Sequence, residues 1–163
     1  MKLILERWDR FLKEEWSAPQ TQEDLDIVFQ ILEKAQIEGF SGACAAAAIA
    51  INNVLFDGEG TLVAAVNKHL WDKNGRMIGH VAVYYEPDGS YWDAEGEKDW
   101  EDIESWGMLD PEDSDYEFPN EEAAYEVIRL EPSEDELFKQ FGGCSYVEKV
   151  QKLRRAKEEI LGQ

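Results

Sequence analysis

Residues 41–56, SGACAAAAIAINNVLF, constrain the fold more than any other stretch of this chain. From Ala43 to Ile51 every side chain is apolar, so a helix here has no polar face to offer water and has to lie inside a domain. The remaining segments must cover it. Cys44 stands in its first turn, after Ser41 as the expected N-cap and Gly42. Unpaired backbone N–H groups and the helix dipole favour a thiolate at that place. Free cysteine is also among the most buried residue types, so Cys44 becomes a nucleophile candidate only through its context downstream.

At 163 residues the chain suits one domain with a full core. It divides into N-terminal helices (1–38), a core segment (39–96), an acidic tract (97–122) and a final strand with C-terminal helices (123–163). With 36 acidic against 16 basic residues the net charge is −20, which opposes binding to nucleic acid or anionic membranes. Expected partners are basic or neutral, protein or peptide-like molecules. The two cysteines, Cys44 and Cys144, provide neither a disulfide framework nor metal-ligand spacing, so a reducing compartment, the cytoplasm, is expected. No cofactor or metal is implied, and no apolar run approaches membrane-spanning length.

Residues 3–16 place Ile4, Trp8, Phe11, Leu12 and Trp16 on one face of a first amphipathic helix. Thr21 and Asp24 form a capping-box pattern for a second, whose buried face is expected to carry Leu25, Val28, Phe29 and Leu32. After the central helix, Asp57 to Gly60 form a break, and Leu62, Val66 and Leu70 recur at helical spacing, predicting a further short helix from Thr61. Residues 77–85 are mostly β-branched or aromatic, and after Pro87, Asp88 and Gly89 the strand character resumes at Tyr91 and Trp92, which predicts a β-hairpin. Of the 30 residues 93–122, 14 are acidic and only Lys98 is basic, so irregular, partly helical structure is expected there. A third strand follows over 125–130, then a short helix ended by Gly142 and Gly143, then a last helix over about 145–161. That helix is expected to turn Val147, Val150, Leu153 and Ile160 inward and Lys149, Lys152, Arg154, Arg155 and Lys157 elsewhere.

The chain has two histidines. His80 sits in the strand pattern GHVAVYY, whereas His69 falls in phase with Leu62 and Val66 and reads as structural. A cysteine nucleophile needs an imidazole within hydrogen-bond reach and an acceptor on the imidazole's other nitrogen. With a turn over 86–89, Tyr85 pairs with Ser90 and Ala82 faces Asp93. Asp93 is then a diagonal neighbour of His80 on the same sheet face, and a one-residue slip would separate them. In this register Glu95 faces His80 directly and competes as the orienting carboxylate.

The motifs G-x-C-A-x-A at the head of the apolar helix, G-H-V-x-V on a strand and Y-W-D-A-x-G on the next resemble papain-like fold cysteine enzymes, especially the transglutaminase-like and NlpC-type peptidase branches. The resemblance spans residues 39–96. It implies an α+β fold with a buried central helix on a small antiparallel sheet and a C-terminal helix. It also implies Cys44 as nucleophile, His80 as general base and acid, and Asp93 as the orienting carboxylate. Many papain-like peptidases carry a glutamine a few residues before the cysteine; here Gln36 lies eight positions upstream and Glu38 six. A carboxylate would repel an oxyanion, so the Cys44 N–H, aided by Gln36 or a tryptophan, is expected to supply the oxyanion hole. Cys144 has no histidine after it and is taken as structural. Asp110 to Glu117 lack the central glycine and closing glutamate of a calcium loop.

Two functions therefore stand as expectations. One is a cysteine hydrolase or acyltransferase that attacks an amide or ester through a thioester. The other is a non-enzymatic acidic binding protein or inhibitor, a nucleic-acid mimic or a partner of a basic protein.

Overall fold

A computed structural model describes residues 18–39, 43–70, 78–112, 114–141 and 145–162. The helix expected over 3–16, Ser41 and Gly42, the glycine pair 142–143 and Cys144 lie outside the described residues. Helix α1 (Gln22–Ala35) opens on the expected capping box: Thr21 Oγ1 accepts from the Asp24 N–H at 3.1 Å and Asp24 Oδ2 from the Thr21 N–H at 3.2 Å. Its buried face is Leu25, Val28, Ile31 and Leu32. Phe29, expected inside, stands one position beyond that face and is largely exposed, its ring beside Gly96.

Helix α2 (Cys44–Leu55) is the expected core element, and every residue of it except Asn53 is buried. Five alanines, from Ala45 to Ala48 and at Ala50, keep it slim, which lets neighbouring elements pack close to its backbone on all sides. Its end is held by Asn52, whose side chain accepts from the Gly60 N–H at 2.8 Å and donates to the Gly60 carbonyl at 3.2 Å.

The chain then enters β1 (Thr61–Asn67), not the expected helix. The sequence TLVAAVN is buried on both faces, so its apolar run carries no period-two signal. The spacing of Leu62, Val66 and Leu70 only mimics a helical stripe. With β2 (Ile78–Tyr85), β3 (Ser90–Asp93), β4 (Gly96–Lys98) and β5 (Val127–Leu130), it builds an antiparallel sheet in the order β4-β3-β2-β1-β5. The hairpin has the expected register, with Tyr85 opposite Ser90 and Val83 opposite Trp92. Asp88 Oδ1 accepts from the Ser90 N–H at 3.2 Å within the turn.

Leu62, Ala64, Val66, Val81, Val83 and Tyr85 join α2 in the main core. The other sheet face carries Val63, Ala65 and Ala82, covered by Ile103 of the short helix α3 (Trp100–Ser105). After a 3₁₀ turn (Glu121–Tyr125) and β5 come α4 (Glu134–Phe141) and α5 (Tyr146–Ile160). In α5 the buried positions are Lys149, Leu153 and Ala156, while Val147 is exposed. This face is set back from the expected one, so Val147 turns outward and Lys149 inward. The architecture is α+β, with a buried central helix on the sheet and a C-terminal helix. Among the described residues no helix is long and apolar enough to cross a membrane.

Candidate functional site

Three buried polar side chains meet beside the start of α2. His80 lies near the beginning of β2 and Asp93 at the end of β3. Strand alternation puts His80 on the face of Ala82 and Tyr84, and Asp93 on that of Tyr91. His80 Nε2 and Asp93 Oδ2 are 3.0 Å apart. An ionised carboxylate only accepts, so Nε2 carries the proton and donates it. Nδ1 is thereby left as the nitrogen that can take a proton from a thiol. Cys44 lies close enough to the imidazole to raise its affinity for a proton.

Asp93 is fixed through both oxygens. Oδ1 accepts from the Glu95 N–H at 2.9 Å, the side-chain-to-backbone bond that closes a tight turn. Gly96, at φ +117°, completes the reversal, and Asp93 then pairs with Gly96 across β3 and β4. This corrects the expected position of Glu95. The strand was expected to continue so that Glu95 faced His80; instead the chain turns immediately after Asp93, and the Glu95 carboxylate binds Lys98 at the surface at 2.9 Å. Gln36 also stands apart. It is exposed, ends α1 in the left-handed conformation, and makes no side-chain hydrogen bond to Cys44 or His80 among the described residues.

The exposures grade the three groups: 2% for His80, 4% for Asp93 and 9% for Cys44. All three are buried, Cys44 the least deeply. Burial pulls the His80 pKa down, but the hydrogen bond to Asp93 and the hydrogen bond and charge of Cys44 outweigh it, and the imidazole is pushed up to about 9 from 6.5. His80 is thus an imidazolium at neutral pH, held between two acidic groups. Cys44 is the first residue of α2, and its N-cap is Ala43, in place of the expected Ser41, with no side-chain cap bond. The N-terminal end of the helix dipole favours an anion at this place.

Two contacts near the site were not legible in the sequence. The Trp106 ring stacks on His80, with centroids 5.3 Å apart and planes at 26°. No local spacing links a strand histidine to a tryptophan in an irregular acidic tract. Gly79 is the extra residue of a β-bulge: Ala65 opposes His80 while Val66 opposes Ile78. His69, expected to be structural, bonds Glu126 Oε2 at 3.1 Å. Among the described residues no group of three or more His, Cys, Asp or Glu side chains is placed to hold a metal ion.

Comparison of the chain with protein-family models, with curated proteins and with solved structures finds no match.

Proposed function

We propose that this protein is a cysteine-dependent hydrolase or acyltransferase acting on an amide or ester bond. The observation that carries the reading is the buried imidazole of His80, bonded to Asp93 on Nε2 and facing the Cys44 thiol at a helix N-terminus. The motif resemblance to papain-like enzymes supports the same chemistry. In this scheme the Cys44 proton rests on His80 Nδ1, and the thiolate sulfur attacks the carbonyl carbon. The carbonyl oxygen takes the negative charge beside the α2 N-terminal N–H groups. Collapse of this adduct breaks the bond to the leaving amine or alcohol, which takes the proton from His80, and a thioester remains on Cys44. Water, or a second nucleophile, then attacks the thioester while His80 accepts its proton, and the thiolate leaves. Asp93 stays ionised and holds the tautomer throughout.

A net charge of −20 favours basic or neutral protein or peptide substrates and opposes nucleic acid. A free thiol as the working group suits the cytoplasm. The acidic tract favours a second reading, a non-enzymatic protein that binds a basic partner.

The test is the pH dependence of Cys44 alkylation by iodoacetamide, with Cys144 followed separately by peptide mass. Rapid reaction well below the ordinary thiol pKa of about 8.5, lost in His80→Ala, supports the enzymatic reading and justifies a screen of amide and ester substrates. A Cys44 that stays inert until the protein unfolds overturns it and leaves the binding reading, in which partner affinity survives Cys44→Ala and collapses as salt rises.

A further inference from the structure

His80 is held by more than the two groups that exchange protons with it. Trp106 ends helix α3, and its N–H donates to the Ile103 and Glu104 carbonyls. Helix α3 is fixed at its start by the Asp99/Asp102 capping box and in its middle by Ile103, which is buried against Ala65 and Ala82. The turn that follows lies directly on the bulge of β2. A β-carbon on Gly79 would come within 2.5 Å of the Trp106 carbonyl oxygen and 2.6 Å of the Gly107 Cα, closer than packed atoms allow. Glycine at 79 therefore permits both the bulge and the seating of the Trp106–Gly107 turn on it. From there the indole reaches the imidazole face at 5.3 Å and 26°, within the range of aromatic stacking and of cation–π attraction. A tryptophan that is 50% exposed is only partly held by core packing, so core filling does not account for its place.

We infer that Trp106, seated by Gly79, is a positioning residue for His80: its ring holds the imidazole in the plane that serves both Asp93 and Cys44 and stabilises the protonated form. This rests on the proposed role of His80. Among the described residues, the titratable groups that act on the imidazole are Asp93 from β3 and Cys44 from α2, while β1 places Ala65 opposite it. Both titratable neighbours are acidic, so they and the ring favour the same protonation state.

The experiment uses the full chain as wild type, Trp106→Ala, Trp106→Phe and Gly79→Ala. Two quantities are read: the His80 Cε1–H titration by NMR, and the pH profile of Cys44 alkylation by iodoacetamide. Loss of the ring lowers the His80 midpoint by about 0.5 to 1 pH unit and slows Cys44 alkylation at pH 6 by about three- to tenfold. Trp106→Phe, which keeps a π face, recovers most of both. Gly79→Ala reproduces the alanine phenotype with the indole still in the chain, because the added carbon lifts the turn. A His80 midpoint in Trp106→Ala equal to wild type, or a phenylalanine variant no better than alanine, overturns the inference. If Gly79→Ala does not fold, the two Trp106 variants decide, since that side chain is half exposed. A wild-type Cys44 with an ordinary thiol profile refutes the catalytic reading instead, and the NMR titration still reports the stacking by itself.

Discussion

Replacing Asp93 by asparagine isolates the charge of the carboxylate from its shape. The new amide oxygen can still accept the Glu95 N–H that Asp93 Oδ1 accepts at 2.9 Å, so the turn after β3 is kept. The amide nitrogen then faces His80 Nε2, where a carboxylate oxygen stood at 3.0 Å. Two donors cannot share that contact, and the imidazole must move its proton to Nδ1, the nitrogen that should receive the thiol proton. The magnitude follows from the balance at His80. Burial is the largest influence and lowers its pKa; Asp93 and Cys44 together carry it past 6.5 to about 9. Without Asp93 burial is opposed by Cys44 alone, and a fall of ~2 units, on the order of 3 kcal/mol, is expected. Alkylation of Cys44 near pH 6 should then slow by ~30- to 100-fold. The assay is iodoacetamide alkylation of Cys44 from pH 5 to 9, beside an NMR titration of His80 in the same variant and a thermal unfolding curve as a folding control. A folded Asp93→Asn protein whose His80 midpoint stays within half a unit of wild type would refute the argument that Asp93 holds the imidazolium.

The same shift makes stability depend on pH with a definite sign. Because the folded His80 pKa is raised from 6.5 to about 9, its contribution is fully present below 6.5 and is lost as pH rises through 9; it is on the order of 3 kcal/mol. Urea unfolding at pH 6, 7.5 and 9 should show that decline, and His80→Ala should flatten it. Ala50 is fully buried within α2, so Ala50→Leu should cost ~1 to 3 kcal/mol through overpacking; an unchanged urea midpoint would show that the helix is loosely enclosed. Lys157 is lowered to about 8 from 10.5, first by burial and then by the charge of Arg154, with Asp57 opposing. NMR titration of the 13C-methylated amine should give a midpoint near 8, and Arg154→Gln should move it upward.

Sequence and structure agree where a local signal was strong. An unbroken apolar run could only be an internal helix, and Pro87, Asp88 and Gly89 set the hairpin register that makes His80 and Asp93 diagonal neighbours. Strand β1 escaped because a strand buried on both faces has no alternation to read. Glu95 was misplaced because the end of β3 is decided by the Asp93 side chain bonding its own turn, a role hidden behind the more obvious one of carboxylate to a histidine. Val147 and Lys149 were exchanged because the face of α5 is set by its seat against α1 and α2, and a lysine can line such a seat with its methylene stem. Trp106 reaches His80 across 26 positions, a distance that no pattern of residues encodes.

The sheet order also has a consequence for the newly made chain. Strand β1 pairs on one side with β2, which follows closely, but its other edge waits for β5, whose Val127 lies opposite Asn67 after 60 further residues have been made. During synthesis an uncharged strand, TLVAAVN, therefore presents an open edge of the kind that recruits neighbouring chains. The segment synthesised in that interval includes residues 93–122, with 14 acidic side chains in 30 residues. Like charge on that segment opposes association of emerging chains during the wait.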